Sequence, residues 1–230
     1  KTCLVVATKK DKNSEQKNIF VAEAKWCGHD SRGINVPHND LPTILSNYLN
    51  RNNTTIGKSY LGHYISQHDI KNCVLAPRYY DPEPMSAINE LEDTHYLLCI
   101  GDLVENHVIE IKTGDEVGKL AYSTGEIPFV RTSDISNWEV KIDPKHGVSE
   151  EIYQSYASKQ DVREGDILMV KDGTYLIGTC AFVSKYDEKI LYQSHLYKIR
   201  ILDTKVITPY LLLAALSSKP VMKQIQSKRF

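Results

Sequence analysis

The sequence predicts an α+β protein, a small β-β-α segment followed by a β-rich domain with flanking helices, and three observations predict it. Residues 96–201 hold a succession of short runs rich in β-branched and aromatic residues, punctuated by turn formers. Within them, "DVREGDILMVKDGTYLIGTCAFV" (161–183) joins two apolar runs through Lys171, Asp172 and Gly173. An Asp-Gly pair at such a junction signals a tight hairpin, because glycine accepts the positive φ of a primed turn. Finally, "HNDLPTILSNYLN" and "TPYLLLAAL" place apolar residues at helical spacing near the two ends.

Taken in order, "TCLVVATKK" and "NIFVAEAKW" predict two strands joined by the polar loop "KKDKNSEQKN". The turn-rich "CGHDSRG" follows. Asn39 or Asp40 then caps a helix beginning near Pro42, with Ile44, Leu45, Tyr48 and Leu49 on one face. Residues 51–74 are polar and without period, which predicts a linker between a segment at 1–50 and a domain at 75–230. Three prolines stiffen "APRYYDPEP", and "MSAINELEDT" suits a short helix. Strands are expected at "YLLCIGDLV", "VIEIKTG", "IPFVRTSDI", "WEVKI", "DILMV", "TYLIGTCAFV", "KILYQ" and "LYKIRIL". One helix interrupts them, "SEEIYQSYAS", with Ser149 as N-cap and Glu150 and Glu151 in its first turn, where the helix dipole favours them. The last helix starts with Thr208 as cap and Pro209 at its first position, and runs on through "SSKPVMKQI".

Composition narrows the class. The chain has 230 residues, 41% hydrophobic and 25% charged, which suits a globular protein with one or two cores. Five cysteines without a C-x-x-C pair read as reduced thiols, and a cytoplasmic location is expected. No apolar run approaches the ~20 residues of a membrane span, so no membrane partner is expected. The chain opens at Lys1 and closes on a basic helical stretch, as a piece of a longer protein would. The net charge is only -1, yet residues 81–110 hold eight acids and no Lys or Arg, while 219–230 hold four bases and no acid. Such polarisation can attract a polyanion to one face, or can be two solvated faces.

Catalytic motifs are scarce. There is no G-x-S-x-G elbow, no H-E-x-x-H, no phosphate loop and no Asn-Pro-Pro-Tyr type methyltransferase loop. Asp161, Glu164, Asp166 and Lys171 have the order and spacing of a metal-dependent nuclease, although Glu164-Gly165-Asp166 also reads as a turn entering a strand. The eight histidines are scattered. No catalytic residue, metal or cofactor is assigned to this chain.

The string "TGEIPFVRTSDISNWEVKID", then a helix, "VREGDILMVKDGTYLIGTCAFV", "LYQSHLYKIRI" and "ITPYLLLAALSSKPVMKQI" resembles a target-recognition domain from the specificity subunits of Type I restriction-modification systems. The resemblance covers about residues 75–230. The front segments "LVVATKK", "KNIFVAEAKWCGHDSRG" and "NDLPTIL" resemble the C-terminal end of an N6-adenine DNA methylase domain. Together they imply a fused methylase-specificity protein whose partners are double-stranded DNA and methylase and restriction subunits or domains, with S-adenosylmethionine as the cofactor of the parent methylase. The methylase core itself and a second recognition half are not in the sequence.

In such a domain, phosphate contacts orient the duplex and base-edge contacts specify it. Polar groups on loops at one sheet edge are the candidates, and three loops offer them. The first carries Arg131, Thr132 and Ser133; Arg131 can grip guanine in bidentate fashion, or pair with Asp134 in a local turn. The second carries Lys171, Asp172 and Thr174. Lys171 suits a phosphate, while Asp172 either accepts from a cytosine amine or only shapes the turn. The third is "YQSHL", in which Gln193, Ser194 and His195 either read bases, Gln193 suiting adenine, or belong to an ordinary crossover between strands. Tyr153, Tyr156, Tyr175 and Tyr192 read as packing residues, Gly114 and Gly118 as setting loop geometry. Asp30 and Arg32 read as a salt-bridged turn that docks the recognition domain on the methylase or only shapes the chain, with direct DNA contact by Arg32 as the alternative. The competing readings are a magnesium-dependent nuclease and a protein–protein docking module.

Overall fold

The computed structural model describes residues 4–7, 9, 18–50, 60–70, 72–136, 138–173 and 175–228. The chain divides into two compact units, Lys1–Glu83 and Pro84–Phe230. The mixed helices and short sheets make it an α+β protein, as expected.

In the first unit the described strands and helix are β1 (Ile19–Val21), β2 (Cys27–His29), β3 (Asn35–Asn39), α1 (Leu41–Leu49) and β4 (His63–Ile65). β1 pairs antiparallel with β4, Ile19 opposite Ile65, and Phe20 packs edge-on against Tyr48 and Tyr64. The expected strand at 2–10 is not formed over residues 4–7, where Leu4, Val5 and Val6 are exposed. The pairing partner of β1 comes instead from the polar stretch read as linker. A three-residue strand there leaves too short a pattern for period-2 alternation to be read. β2 and β3 form a hairpin across the turn-rich segment. Asp40 stands at the start of α1, but its carboxylate accepts from the backbone N–H groups of Lys25 and Trp26, while Asn39 Oδ1 accepts from Leu41 N.

The helix α2 (Pro82–Glu92) begins at a proline, where no donor is needed. The second unit continues with α3 (Ile100–Glu105), β5 (Ile109–Thr113), β6 (Phe129–Val130), β7 (Ile135–Ser136), β8 (Glu139–Val140), α4 (Glu150–Gln160), β9 (Ile167–Val170), β10 (Cys180–Phe182), β11 (Leu191–Tyr192), β12 (Leu196–Ile201), α5 (Pro209–Leu216) and α6 (Lys219–Ser227). Its central sheet has the antiparallel order β10-β9-β12-β5. Alternation along β9 sends Ile167 into a core with Leu103, Val108, Leu212 and Leu216, and Leu168 and Val170 into another with Val130, Ile135, Tyr192 and Leu196. The sheet is thus buried on both faces, by helices on one side and by the β6–β11 and β7–β8 pairs on the other.

Two local expectations differ. Residues 96–99 form no strand and the chain then enters α3, with Leu103 buried; an apolar run of this length does not distinguish strand from helix by period. The terminal helix is broken at Ser217 and Ser218, because Pro220 lacks an N–H and a continuous helix would drive its ring into a preceding carbonyl. Ser149 and Thr208 cap α4 and α5 as expected, accepting from Ile152 N and Leu211 N.

A buried polar system fixes α4 to the sheet. Lys198, 1% exposed, donates to the carbonyls of Gln160 and Asp161 at the C-terminal end of α4. Arg200, two residues along the same face of β12, holds Asp166 with two bonds of 2.7 Å and Asp161 with a third. Burial pushes the Lys198 ammonium down from its ordinary pKa, whereas the Arg200 guanidinium holds the Asp161 carboxyl at about 2. Asp161 adopts the left-handed region (φ 42°) that ends the helix.

Arg200→Ala takes from the buried Asp166 carboxylate both guanidinium bonds, leaving it Arg163 N and, at 3.8 Å, Lys198, and is expected to cost about 3–5 kcal/mol in denaturant unfolding. Asp161 has a folded pKa below its ordinary 3.8, so its contribution is full above about pH 4 and is lost as pH falls through about 2. The urea midpoint of the native protein should decline over that window, and the decline should flatten in Arg200→Ala. Gly114 is constrained otherwise: a Cβ there would lie 2.2 Å from the Tyr192 carbonyl oxygen. Gly114→Ala should destabilise by at least about 1–3 kcal/mol in the same assay.

Candidate nucleic-acid interface

The three loops singled out by sequence meet at one end of the second unit. β6 and β11 run parallel, Val130 beside Tyr192, so Arg131 and Gln193 leave their strands side by side, with Gln193 N donating to the Val130 carbonyl at 2.9 Å. The chain then turns tightly, Leu196 N donating to Gln193 O, and enters β12. There Leu196 stands opposite Val170 of β9, and Lys171 N donates to the His195 carbonyl. A fourth segment, Gly114–Glu116 after β5, lies along the other side of the turn, where Asp115 bridges Gln193. Gly114 has to be glycine because this approach is backbone against backbone.

Arg131, Ser133, Lys171, Asp172, Gln193 and His195 each have a local side-chain partner. The buried Asp134 accepts from Arg131 N at 2.8 Å and from Ser133 Oγ at 3.0 Å, which ties 131–134 into a single helical turn. Arg131 reaches Ser133 Oγ with Nη2 (3.3 Å), and its Nε is buried without a hydrogen-bond acceptor. Thr132 is half-buried in the same turn and Ser133 is exposed. Lys171 Nζ lies 3.5 Å from Asp172 and 5.7 Å from the centre of the Tyr197 ring. Asp172 also binds His195 Nδ1. The hairpin tip and the "QSH" turn are therefore linked by side chains, although 23 residues separate Asp172 from His195. Thr174 lies outside the described residues.

The tip itself differs from the expected primed turn. β9 and β10 pair as predicted, but the ladder closes at Val170 with Gly178 and Thr179, so the connection is longer than a two-residue turn. Asp172 is spent on His195 and not on a two-residue turn. Tyr175, read as a packing residue, is 79% exposed in this loop, whereas Tyr192 is buried and Tyr153 and Tyr156 pack on a core.

Sequence reasoning missed Asp115, Glu116 and Gln160. Gln160, 1% exposed, donates to the Tyr192 carbonyl (3.0 Å) and to Asp115 (3.1 Å), and accepts from Tyr192 N (2.8 Å). Asp115 pairs with Lys159, and Glu116 accepts from Ser194 and Gln193. All of these are contacts across 32 or more residues, which no local pattern announces.

The nuclease constellation is not assembled. Asp161 and Asp166 are held by Arg200, Glu164 N donates to Glu188, and Lys171 follows β9 at the end opposite to Asp166. Glu164-Gly165-Asp166 is the alternative reading, a turn into β9, closed by Asp166 N on Arg163 O with Gly165 at φ 89°. Among the described residues no group of three or more His, Cys, Asp or Glu could hold a metal ion. Asp30 accepts from Arg32 N and Ile34 N and pairs with Arg32 at 3.4 Å; its carboxyl is pulled below the ordinary range chiefly by the Ile34 N–H. The four described cysteines are unpaired, and burial pushes the Cys180 thiol up to about 12. Among the described residues no helix is long and apolar enough to cross a membrane.

No family model matches the sequence, and no curated protein matches it. A solved chain described under "Structural basis underlying complex assembly and conformational transition of the type I R-M system" is similar to it at 15% identity and a TM-score of 0.40. The match takes in 64% of this chain and 34% of that one.

Asp134→Ala removes the anchor of the 131–134 turn and should cost about 1–3 kcal/mol of stability by leaving its donors unmet. Amide exchange at Arg131 is expected to accelerate, while exchange in β9 stays close to native.

Proposed function

We propose that this chain is a sequence-specific duplex-DNA recognition module belonging to a restriction-modification adenine-N6 DNA methyltransferase. The observation that carries the reading is the convergence of three polar loops on one end of a sheet buried on both faces. A rigid platform that projects side chains from several strand ends suits base readout, because contacts must be held in register with the groove. The ordered motifs of the sequence supply the restriction-modification context, with S-adenosylmethionine as the cofactor of the parent methylase. Arg131, Thr132, Ser133, Gln193 and His195 are assigned to base edges, Lys171 to phosphate, and Asp172 to positioning His195. Thr174 is assigned to the same surface from sequence alone.

A docking role for the first unit has its own support. The helix α1 buries none of its residues, and Leu41, Leu45 and Leu49 form an exposed apolar stripe along it. Methylase and restriction subunits or domains are the partners assigned to it.

The test is fluorescence anisotropy of a randomised duplex pool at about 50 mM and about 200 mM salt. Binding that weakens with salt is expected, because neutralised phosphates release counterions. The double variant Arg131→Ala/Lys171→Ala should bind more weakly with a shallower salt slope. A native protein that leaves the anisotropy unchanged at the lower salt would refute the reading.

A further inference from the structure

We propose that the turn Gln193-Ser194-His195 reads the exocyclic amino groups of adenine and cytosine in the major groove. The proposal rests on the reading of this edge as a duplex-DNA interface and adds the chemical class of what the turn recognises. Each of the three side chains can both donate and accept hydrogen bonds. In each, the donor faces a carboxylate.

Glu116 lies under the first two. Its Oε2 is 3.5 Å from Gln193 Nε2, and its Oε1 takes the Ser194 hydroxyl. An ionised carboxylate only accepts, so the Gln193 amide must turn its NH2 toward Glu116 and its Oε1 away. The Ser194 hydroxyl has one hydrogen, and that hydrogen is given to Glu116. Asp172 treats His195 in the same way, because its Oδ1 faces Nδ1. Neutral imidazole carries a single N–H; the carboxylate fixes it on Nδ1, and Nε2 is left as a bare lone pair.

The backbone of the turn adds no competing donor at its first residue, because Gln193 N is bound to Val130 O. What the side chains leave free is mostly acceptors: Gln193 Oε1 beside the second hydrogen of its NH2, the Ser194 lone pairs and His195 Nε2. His195 is half exposed, with 52% of its side chain accessible, and Ser194 and Gln193 stand beside it at the mouth of the same strand pair. In the major groove the donors are adenine N6 and cytosine N4, while N7 and O6 of guanine and O4 of thymine only accept. The acceptors at Ser194 and His195 therefore favour the amino bases and are repelled by guanine, and Gln193, with one acceptor and one donor free, matches N6 and N7 of adenine. Arg131 and Lys171 flank the turn with the opposite chemistry and suit guanine or phosphate.

The experiment starts from a duplex selected by affinity from a randomised pool with the whole 230-residue chain, at about pH 8. Single positions are then replaced by purine in place of adenine or pyrimidin-2-one in place of cytosine, each of which lacks only the amino group. In a parallel series the purine of the same base pair is made 7-deaza, which removes the N7 acceptor. At one or more positions, loss of the amine should weaken binding roughly 5- to 150-fold, with little effect of the 7-deaza change there. The same replacements in the flanks control for weakened base pairing.

The variant Gln193→Ala/His195→Ala should lose this position dependence. A native complex with no amine-sensitive position, or a double variant that keeps the sensitivity, overturns the proposal. A pool that yields no bound duplex at all overturns the parent reading and this one with it, so the two failures are told apart.

Discussion

The second unit depends on two cations placed where a β-strand carries them inward. Lys198 and Arg200 alternate on the face of β12 that meets α4, and between them they satisfy the last carbonyls of that helix and the carboxylates of Asp161 and Asp166. A helix ends with unmet carbonyls and a partial negative charge, so an ammonium there answers both needs at once. Burying Lys198 is costly by itself, and its lowered pKa records that cost. The cost is met because every carbonyl and carboxylate it faces is also fixed by the fold.

That clamp sets the geometry of the candidate interface. It holds the end of α4 so that Gln160 lies against Tyr192, where its amide bonds both the N–H and the C=O of the strand residue, as a neighbouring strand would. β11 is only two residues long and pairs with β6 on its other side. Without Gln160 its outer edge at Tyr192 would keep the Asp115 N–H as its backbone partner and lose the rest. The turn at 193–195 therefore leaves a strand that is bonded on both edges, which restricts where Gln193, Ser194 and His195 can point.

Much of this framework was legible. The β9–β10 hairpin, the caps at Ser149 and Thr208 and the three polar loops follow from local chemistry, which a single sequence displays. What was not legible is where local chemistry is overruled by distant partners. Asp172-Gly173 is a sufficient turn signal, yet Asp172 bonds His195 and the hairpin opens into a longer loop. Asp40 is a sound capping residue, yet its carboxylate binds the backbone at Lys25 and Trp26. Glu116 and Gln160 carry no motif, because their partners lie 77 and 32 residues away. Pairing of β1 with β4 was hidden for the same reason.

The charge pattern at the interface bears on how such a module would divide its work. A protein that holds DNA mainly by phosphate contacts gathers unopposed cations, each adding to the salt slope. Here Arg131 lies beside Asp134, Lys171 beside Asp172 and Lys159 against Asp115. A cation already paired releases less on meeting a phosphate, since it gives up one partner for another. The acids are not idle, however, because they orient the donors of the 131–134 and 193–195 turns. An arrangement of this kind gives up sequence-independent affinity and gains fixed hydrogen-bond polarity at the groove. In the role proposed for it, such a module would discriminate at the base edges while its paired cations supply a modest share of the salt-dependent grip.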